Sequence, residues 1–467
     1  MSVPEAHRTW REVLAAGLGL MMYNGRAARR GAVDLAPKPA LTPYEGFLPV
    51  GMTLAQKILA RKSGRKEVLP GEIVEVDVDL ALTHDVLGPP FFPKFESFNR
   101  PIWDPARVVI SIDHLVPAPD ERFAVNNRMT AEFARKHGVA NFYPYNGPCH
   151  QMIAENGHAL PGSVVVGTDS HTCTAGAFGA FATGIGSTEM VAVFLSGRIW
   201  FKVPETIRFR VGGRLPRGVM AKDLVLKMLA VVGPGGATYQ ALEYTGETIA
   251  EMPMDERLVL SNMAVEMGAK VGLVPPDQVT ADYLRGRTGE EIDLIEADGD
   301  AAYRAEVEID ASTLEPMVAY PHNPGNGRPI SEVQDEIRVD QGFIGSCTGG
   351  RLSDLRIAAR ILEGQRVAPT ARLIVVPASR RIYRQAMEEG ILGTLFEAGA
   401  IVESPGCGPC VGRHLGCLAP GEVCITASNR NFRGRMGSTD AALYLASPAT
   451  VAASMIEGRI ADPREYM

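Results

Sequence analysis

Cys407 and Cys410 form a CxxC inside Pro405-Gly406-Cys407-Gly408-Pro409-Cys410, where glycine and proline aim both thiols at one point. Cys347 lies far away in sequence, in the glycine-rich turn Gly345-Ser346-Cys347-Thr348-Gly349-Gly350. Thiolates are soft ligands, and three of them from two loops suit an iron–sulfur cluster. Cys407, Cys410, Cys417 and Cys424 would also make a zinc site, with Cys347 a small buried residue. Spacing alone leaves both readings open. A second group is acid–base in character: Asp113-His114, Cys149-His150 and Asp169-Ser170-His171, all expected in loops. A carboxylate beside an imidazole fixes its tautomer and raises its basicity. Cys149 and Cys173 read as packing residues. A third group is Arg430, Arg433 and Arg435, whose forked guanidinium groups suit carboxylates. The plain alternative is a solvated basic loop.

The elements that must position these residues are apolar runs followed by helices. Residues 108–112 end at Asp113, and 163–166 run into Asp169. Residues 342–345 lead to Cys347 and then to a helix over 352–362. Residues 401–402 lead to the CxxC, and 423–426 lead to Arg430. Such alternation predicts parallel sheets covered on both faces, with the ligand site beyond the carboxyl ends of the strands. No P-loop, GxGxxG or GxSxG competes.

At 467 residues the chain exceeds one ordinary core, since domains run to roughly 100–200 residues. Changes of character at 201–216 and a Pro/Gly/Asn stretch at 320–329 divide it into an extension (1–50) and three α/β domains (51–200, 201–318, 319–467). The net charge of −7 lacks the basic footprint of a nucleic-acid binder. No run of 18 apolar residues marks a membrane span. Seven cysteines in so long a chain fit metal ligation in a reducing compartment better than a disulfide scaffold. Residues 13–23 are apolar and flanked by arginines, as in a targeting peptide. Glu5 and Glu12 argue instead for an N-terminal helix, so the expected location is the cytoplasm, or an organelle matrix if the segment is a transit peptide.

Together the motifs resemble the aconitase superfamily. Residues 166–186 (VGTDSHTCTAGAFGAFATGIG) are similar to its first signature and 404–412 (SPGCGPCVG) to its second. The Cys347 turn and the 428–435 loop follow in the family's order. The resemblance implies three α/β domains packed around a [4Fe–4S] cluster, held here by Cys347, Cys407 and Cys410. It implies that His114, paired with Asp113, protonates a departing hydroxyl, that His150 pairs with Asp169, and that His171 pairs with Glu266 on a later helix. Asn262 shares the face of Glu266. Ser170, Asn262, Arg430 and Arg435 match substrate-binding positions.

The activity implied is reversible dehydration of a hydroxy di- or tricarboxylic acid. The first expectation is 3-isopropylmalate; homoaconitase or methyl- and dimethylmalate dehydratase is the alternative. The chain ends about thirty residues past Arg435. A small subunit is therefore expected to carry the swivelling domain with its serine base. Gly349-Gly350 stand where the family has Asn-Ser, which implies different hydrogen bonding around the cluster. Two alternatives from other classes are a cluster-free RNA-binding regulator and a zinc-stabilised binding protein.

Overall fold

A computed structural model describes residues 51–333 and 336–467; the expectations for 1–50 lie outside the described residues. The first region contributes β1 (Ile73–Asp77), β2 (Leu80–His84), β3 (Val108–Ile112), β4 (Asn141–Pro144), β5 (Val164–Gly167), β6 (Phe181–Gly184) and β7 (Arg198–Lys202). Strands β2 to β6 form an all-parallel sheet in the order β4-β3-β2-β5-β6. β2, β3 and β5 are buried along their whole length, because helices cover both faces. Ala81 of β2 packs into one core, and its neighbours Leu80 and Leu82 pack into another.

The second region holds β8 (Thr206–Gly212), β9 (Ala241–Thr245), β10 (Val271–Leu273) and β11 (Ala305–Asp310), parallel in the order β10-β9-β8-β11. The third holds β12 (Met317–Ala319), β13 (Gly327–Pro329), β14 (Gln341–Ile344), β15 (Arg372–Val375), β16 (Ile401–Val402), β17 (Val423–Thr426) and β18 (Ala442–Leu445). Their order is β13-β12-β18-β17-β14-β15-β16.

The sheets are not parallel throughout. β1 pairs antiparallel with β7, and β12 with both β13 and β18. The Pro/Gly/Asn stretch is the turn of the β12–β13 hairpin, whose short connection permits only antiparallel pairing. The cuts expected at 200/201 and 318/319 fall inside β7 and β12.

Two features of this topology make the site. The chain runs β2→β3→β4 outward, then lays β5 and β6 on the other side of β2. It likewise runs β14→β15→β16 outward, then lays β17 and β18 on the other side of β14. Each reversal is a topological switch point, where loops leave in opposite directions and open a crevice.

Candidate active site

At the β2/β5 switch point, Asp85 ties two strand ends together. Its Oδ1 accepts from the N–H groups of Asp113 and His114, each at 3.1 Å, and its Oδ2 from Leu115 at 3.2 Å. Asp113 accepts the Cys149 N–H at 2.6 Å and meets His114 Nδ1 at 3.0 Å. Asp169 accepts the His171 N–H at 2.7 Å, lies 2.9 Å from His150 Nε2 and 3.5 Å from His114 Nε2. His171 Nε2 reaches Glu266 at 3.0 Å. Arg430 donates to Glu266 at 2.6 Å and to Ser170 Oγ at 3.0 Å.

Burial alone would lower the His114 imidazole, but the Asp113 charge and hydrogen bond, then Asp169, hold its pKa well above the usual value. Burial opposes ionisation of Asp113 and Asp169 too. The imidazoles outweigh it, holding Asp113 at about 2 and Asp169 well below its ordinary range. The wall therefore favours ionised Asp113 and Asp169 beside a protonated His114, while burial and the charge of Asp113 push Asp85 upward.

The β14/β17 switch point builds the opposite wall. Cys347 sits in a one-turn helix, Ser346–Gly349, directly after β14, with Ser346 in the left-handed region at φ 64°. The Asn262 amide donates to Cys347 Sγ at 3.1 Å, and the Asn429 amide lies 3.6 Å from it. Cys410 Sγ faces Asn429 Oδ1 at 3.6 Å and Arg435 Nη2 at 3.8 Å. The Cys407 N–H donates to the Asp113 carbonyl at 3.1 Å, which joins the walls. Lys222, fully buried, donates to the Ala427 and Ser428 carbonyls at 2.9 and 3.0 Å and pins the loop that carries Asn429. Burial raises the Cys347 thiol and pushes Cys407 well up.

The walls enclose a cavity of about 350 Å³ lined by the three cysteines, Asp113, His114, His150, Asp169, His171, Arg430 and Arg435. The profile of the aconitase family (aconitate hydratase) matches residues 56–458. The chain belongs to the aconitase family. It is a hydro-lyase of that family. A 3-isopropylmalate dehydratase large subunit of Methanopyrus kandleri is 51% identical over 420 residues, covering 90% of this chain and 100% of that one. A probable methanogen homoaconitase large subunit of Methanothermobacter thermautotrophicus is 49% identical, covering 89% and 98%. The crystal structure of Thermococcus kodakaraensis aconitase X matches at TM-score 0.47 and 13% identity, over 83% of this chain and 92% of that one; so loose a likeness carries no weight.

Membership in the aconitase family implies an iron–sulfur cluster, and the donor set fits one. A single tetrahedral zinc with Zn–S bonds of about 2.3 Å holds its sulfurs roughly 3.8 Å apart. Among the described residues, the sets of His, Cys, Asp and Glu with ligand atoms within 4.8 Å of one another contain no cysteine. The three thiols are thus spread more widely than one ion requires. Cys417 is exposed and Cys424 is buried beside Gln341; neither lines the cavity, so the four-cysteine zinc set is not assembled.

Of the residues expected at the site, Ser170, Asn262 and Glu266 do not line the cavity and instead contact residues that do. Cys149-His150 and Ser170-His171 are not in loops. Cys149–Glu155 is a helix begun after Pro148, and Ser170–Phe178 is a 3-10 helix capped by Asp169. Glu266 lies in a 3-10 turn, Ala264–Met267, that follows the helix bearing Asn262. Sequence reasoning passed over Asn429, which is inside a motif it singled out, and His84, which also lines the cavity. The signal for His84 was present, since Thr83-His84-Asp85 closes a strand just as Asp113-His114 does.

Proposed function

We propose that the chain is the large subunit of a 3-isopropylmalate dehydratase, which moves a hydroxyl group by dehydration and rehydration. The observation that carries this reading is the convergence of three thiols and the Asp113-held His114 imidazole on one cavity. Cys347, Cys407 and Cys410 would hold a [4Fe–4S] cluster, which when bound supplies a Lewis acid that loosens the leaving hydroxyl. His114 holds the proton which that hydroxyl takes, and Asp113 fixes the ring that carries it. His150 and His171 hold Asp169 in place, and Glu266 orients Arg430. Arg430 and Arg435 receive the substrate carboxylates; Arg435 Nε is buried without a partner among the described residues. Ser170 and Asn262 complete the binding positions at second hand, through Arg430 and Cys347.

In this reading none of the lining groups is assigned as the base for the carbon-bound proton. A small subunit, in keeping with relatives named large subunits, would bring a serine base on a swivelling domain and close the mouth against water. The three-domain division of 51–467 is part of this reading, with the divisions moved just past β7 and before β12. All seven cysteines are free, as a reducing compartment keeps them, and the proposed location is the cytoplasm. No helix among the described residues is long and apolar enough to cross a membrane.

Val86, Leu87, Leu115 and Phe123 line the same cavity and favour an apolar isopropyl group over a further carboxylate. Arg413 supports the homoaconitase reading. It lines the same cavity, is exposed, and has no ion-pair partner among the described residues. The deciding experiment assays cluster-loaded chain, with and without a small partner, against 3-isopropylmalate, homocitrate and methylmalate. Dehydration of 3-isopropylmalate only in the presence of the partner is expected. Full activity from the chain alone would place the base within these residues and overturn the division of labour.

A further inference from the structure

Three lysine or arginine side chains are buried among the described residues: Arg257, Lys222 and Arg351. Burying a cation is costly unless an anion stands against it. Arg257 meets that condition, because both oxygens of Asp277 accept from its guanidinium, at 2.7 and 2.6 Å. Lys222 and Arg351 form no ion pair among the described residues. Lys222 Nζ donates to two backbone carbonyls, those of Ala427 and Ser428. Arg351 donates from Nε to Gln151 Oε1 at 3.2 Å and from Nη1 to the Asp255 carbonyl at 3.5 Å, while its Nη2 is buried without a partner.

Local structure does not account for these two cations. Lys222 is the second residue of the helix Ala221–Val232, and Arg351 directly precedes the helix Leu352–Leu362. The positive end of a helix dipole disfavours a cation at both places. Asp354 is the acid with the largest influence on Lys222, but burial pushes its carboxyl up to about 7, so its charge is incomplete at neutral pH. Burial lowers Lys222 only to about 8, so the ammonium persists there. What the two cations share is a location. Neither lines the cavity, yet Cys347 feels the charge of both, and Cys410 that of Lys222. Three thiolates around an iron–sulfur core whose own charge is smaller leave a loaded site net anionic.

Resting on the reading that Cys347, Cys407 and Cys410 hold a cluster, we propose that Lys222 and Arg351 are its counter-charges, two buried cations without carboxylate partners that retain the thiolate-bound cluster and raise its reduction potential from outside the cavity. The rival role is positioning, in which Lys222 pins the backbone at 427–428 and Arg351 ties the helix of Gln151 to the Cys347 turn by hydrogen bonds alone. Two substitutions separate these roles. Lys222→Gln keeps a donor for the carbonyls and removes the charge; Arg351→Lys keeps the charge and removes the fork.

The test uses full-length, cluster-loaded chain and needs no turnover. The midpoint potential of the cluster is read in a redox titration followed by electron paramagnetic resonance, and the rate of iron release to ferrozine is read under air. Removing a cation disfavours the reduced, more negative cluster and eases its oxidation. Lys222→Gln is therefore expected to shift the midpoint downward and to release iron ~10-fold faster or more, the usual cost of altering the groups around a metal site. Arg351→Lys is expected to match wild type in both readouts. A wild-type midpoint in Lys222→Gln overturns the proposal, and an altered Arg351→Lys beside it assigns the pair to positioning. Should Lys222→Gln hold no cluster, Arg351→Met against Arg351→Lys supplies the same contrast in charge, and equal midpoints in those two overturn the proposal as well. Wild-type chain that holds neither iron nor sulfide removes the cluster reading itself, a different failure.

Discussion

The two switch points that meet at the cavity share one topology and differ in what completes them. Beyond β2 and β5, the carboxylates take their donors from the protein itself. Asp85 takes three backbone N–H groups, Asp113 takes one more and a histidine, and Asp169 holds His150 and the His171 N–H. Beyond β14 and β17, three thiols stand apart with amide donors turned toward sulfur, and burial disfavours the thiolates that such donors would stabilise. The first wall is preorganised by its own charges. The second is arranged for a group that the chain does not encode.

That difference predicts unequal responses to substitution. The largest concerns the second wall. Cys347→Ser should abolish colour and turnover, while the wild-type protein, prepared anaerobically, should carry about four irons and four sulfides per chain. Cys417→Ser and Cys424→Ser should keep the iron, because neither thiol faces the cavity. Iron and sulfide analysis decides, and iron retained by Cys347→Ser would break the comparison. Next comes the first wall. His114→Ala should lower kcat by ~10²-fold or more with cluster content near normal, the usual size of a lost general acid. Loss of cluster in that variant would show that the walls are not independent.

The same contrast explains what could be read in advance. The strands before Asp113, Asp169, Cys347 and Arg430 are largely buried, and Cys407 follows the short apolar but partly exposed β16, so the convergence of those residues was legible from order alone. β2 was not legible, because Thr83 and His84 interrupt its apolar character although all five of its residues are buried. Gly147-Pro148 disguised the helix at His150, where proline is tolerated at the start. The choice between cluster and zinc is a matter of how far apart sulfurs stand, which spacing along a chain does not encode.

A smaller effect sharpens the account of the first wall. Burial works against a charged His114, and Asp113 supplies the largest opposing contributions. A raised pKa means that the proton is fully present below the ordinary imidazole value and is lost only as pH rises through the raised one. In the dehydration direction, the alkaline limb of kcat should therefore lie above ~6.5. Asp113→Asn should move it downward, as a pH–rate series would register. A limb that stays put would mean that Asp169 alone maintains the proton.

The smallest expected effect concerns Gly349-Gly350, the pair that follows Cys347-Thr348. A Cβ on Gly349 would meet Ala427 Cβ at 2.5 Å and the Ala427 carbonyl oxygen at 2.9 Å; one on Gly350 would meet the Val376 carbonyl oxygen at 2.6 Å. These approaches are too close for a side chain, and Ala427 has little freedom to retreat. Its carbonyl is held by Thr348 Oγ1 at 3.0 Å and Lys222 Nζ at 2.9 Å. The glycines thus let the Cys347 turn lie directly against the β17 loop, so that Asn429 can face the sulfur. Gly349→Ala should cost ~1–3 kcal/mol, the ordinary penalty of overpacking, read as a lower Tm with KM unchanged once the cluster is loaded. Gly393 is the control: it lies in the exposed part of a helix, Ile391–Glu397, and a Cβ there meets nothing within 4 Å. Gly393→Ala should be stabilising by roughly 0.5–1 kcal/mol, because glycine is the poorer helix residue. If both variants melt together, the turn relaxes freely, and close packing against Ala427 is not what demands glycine beside Cys347.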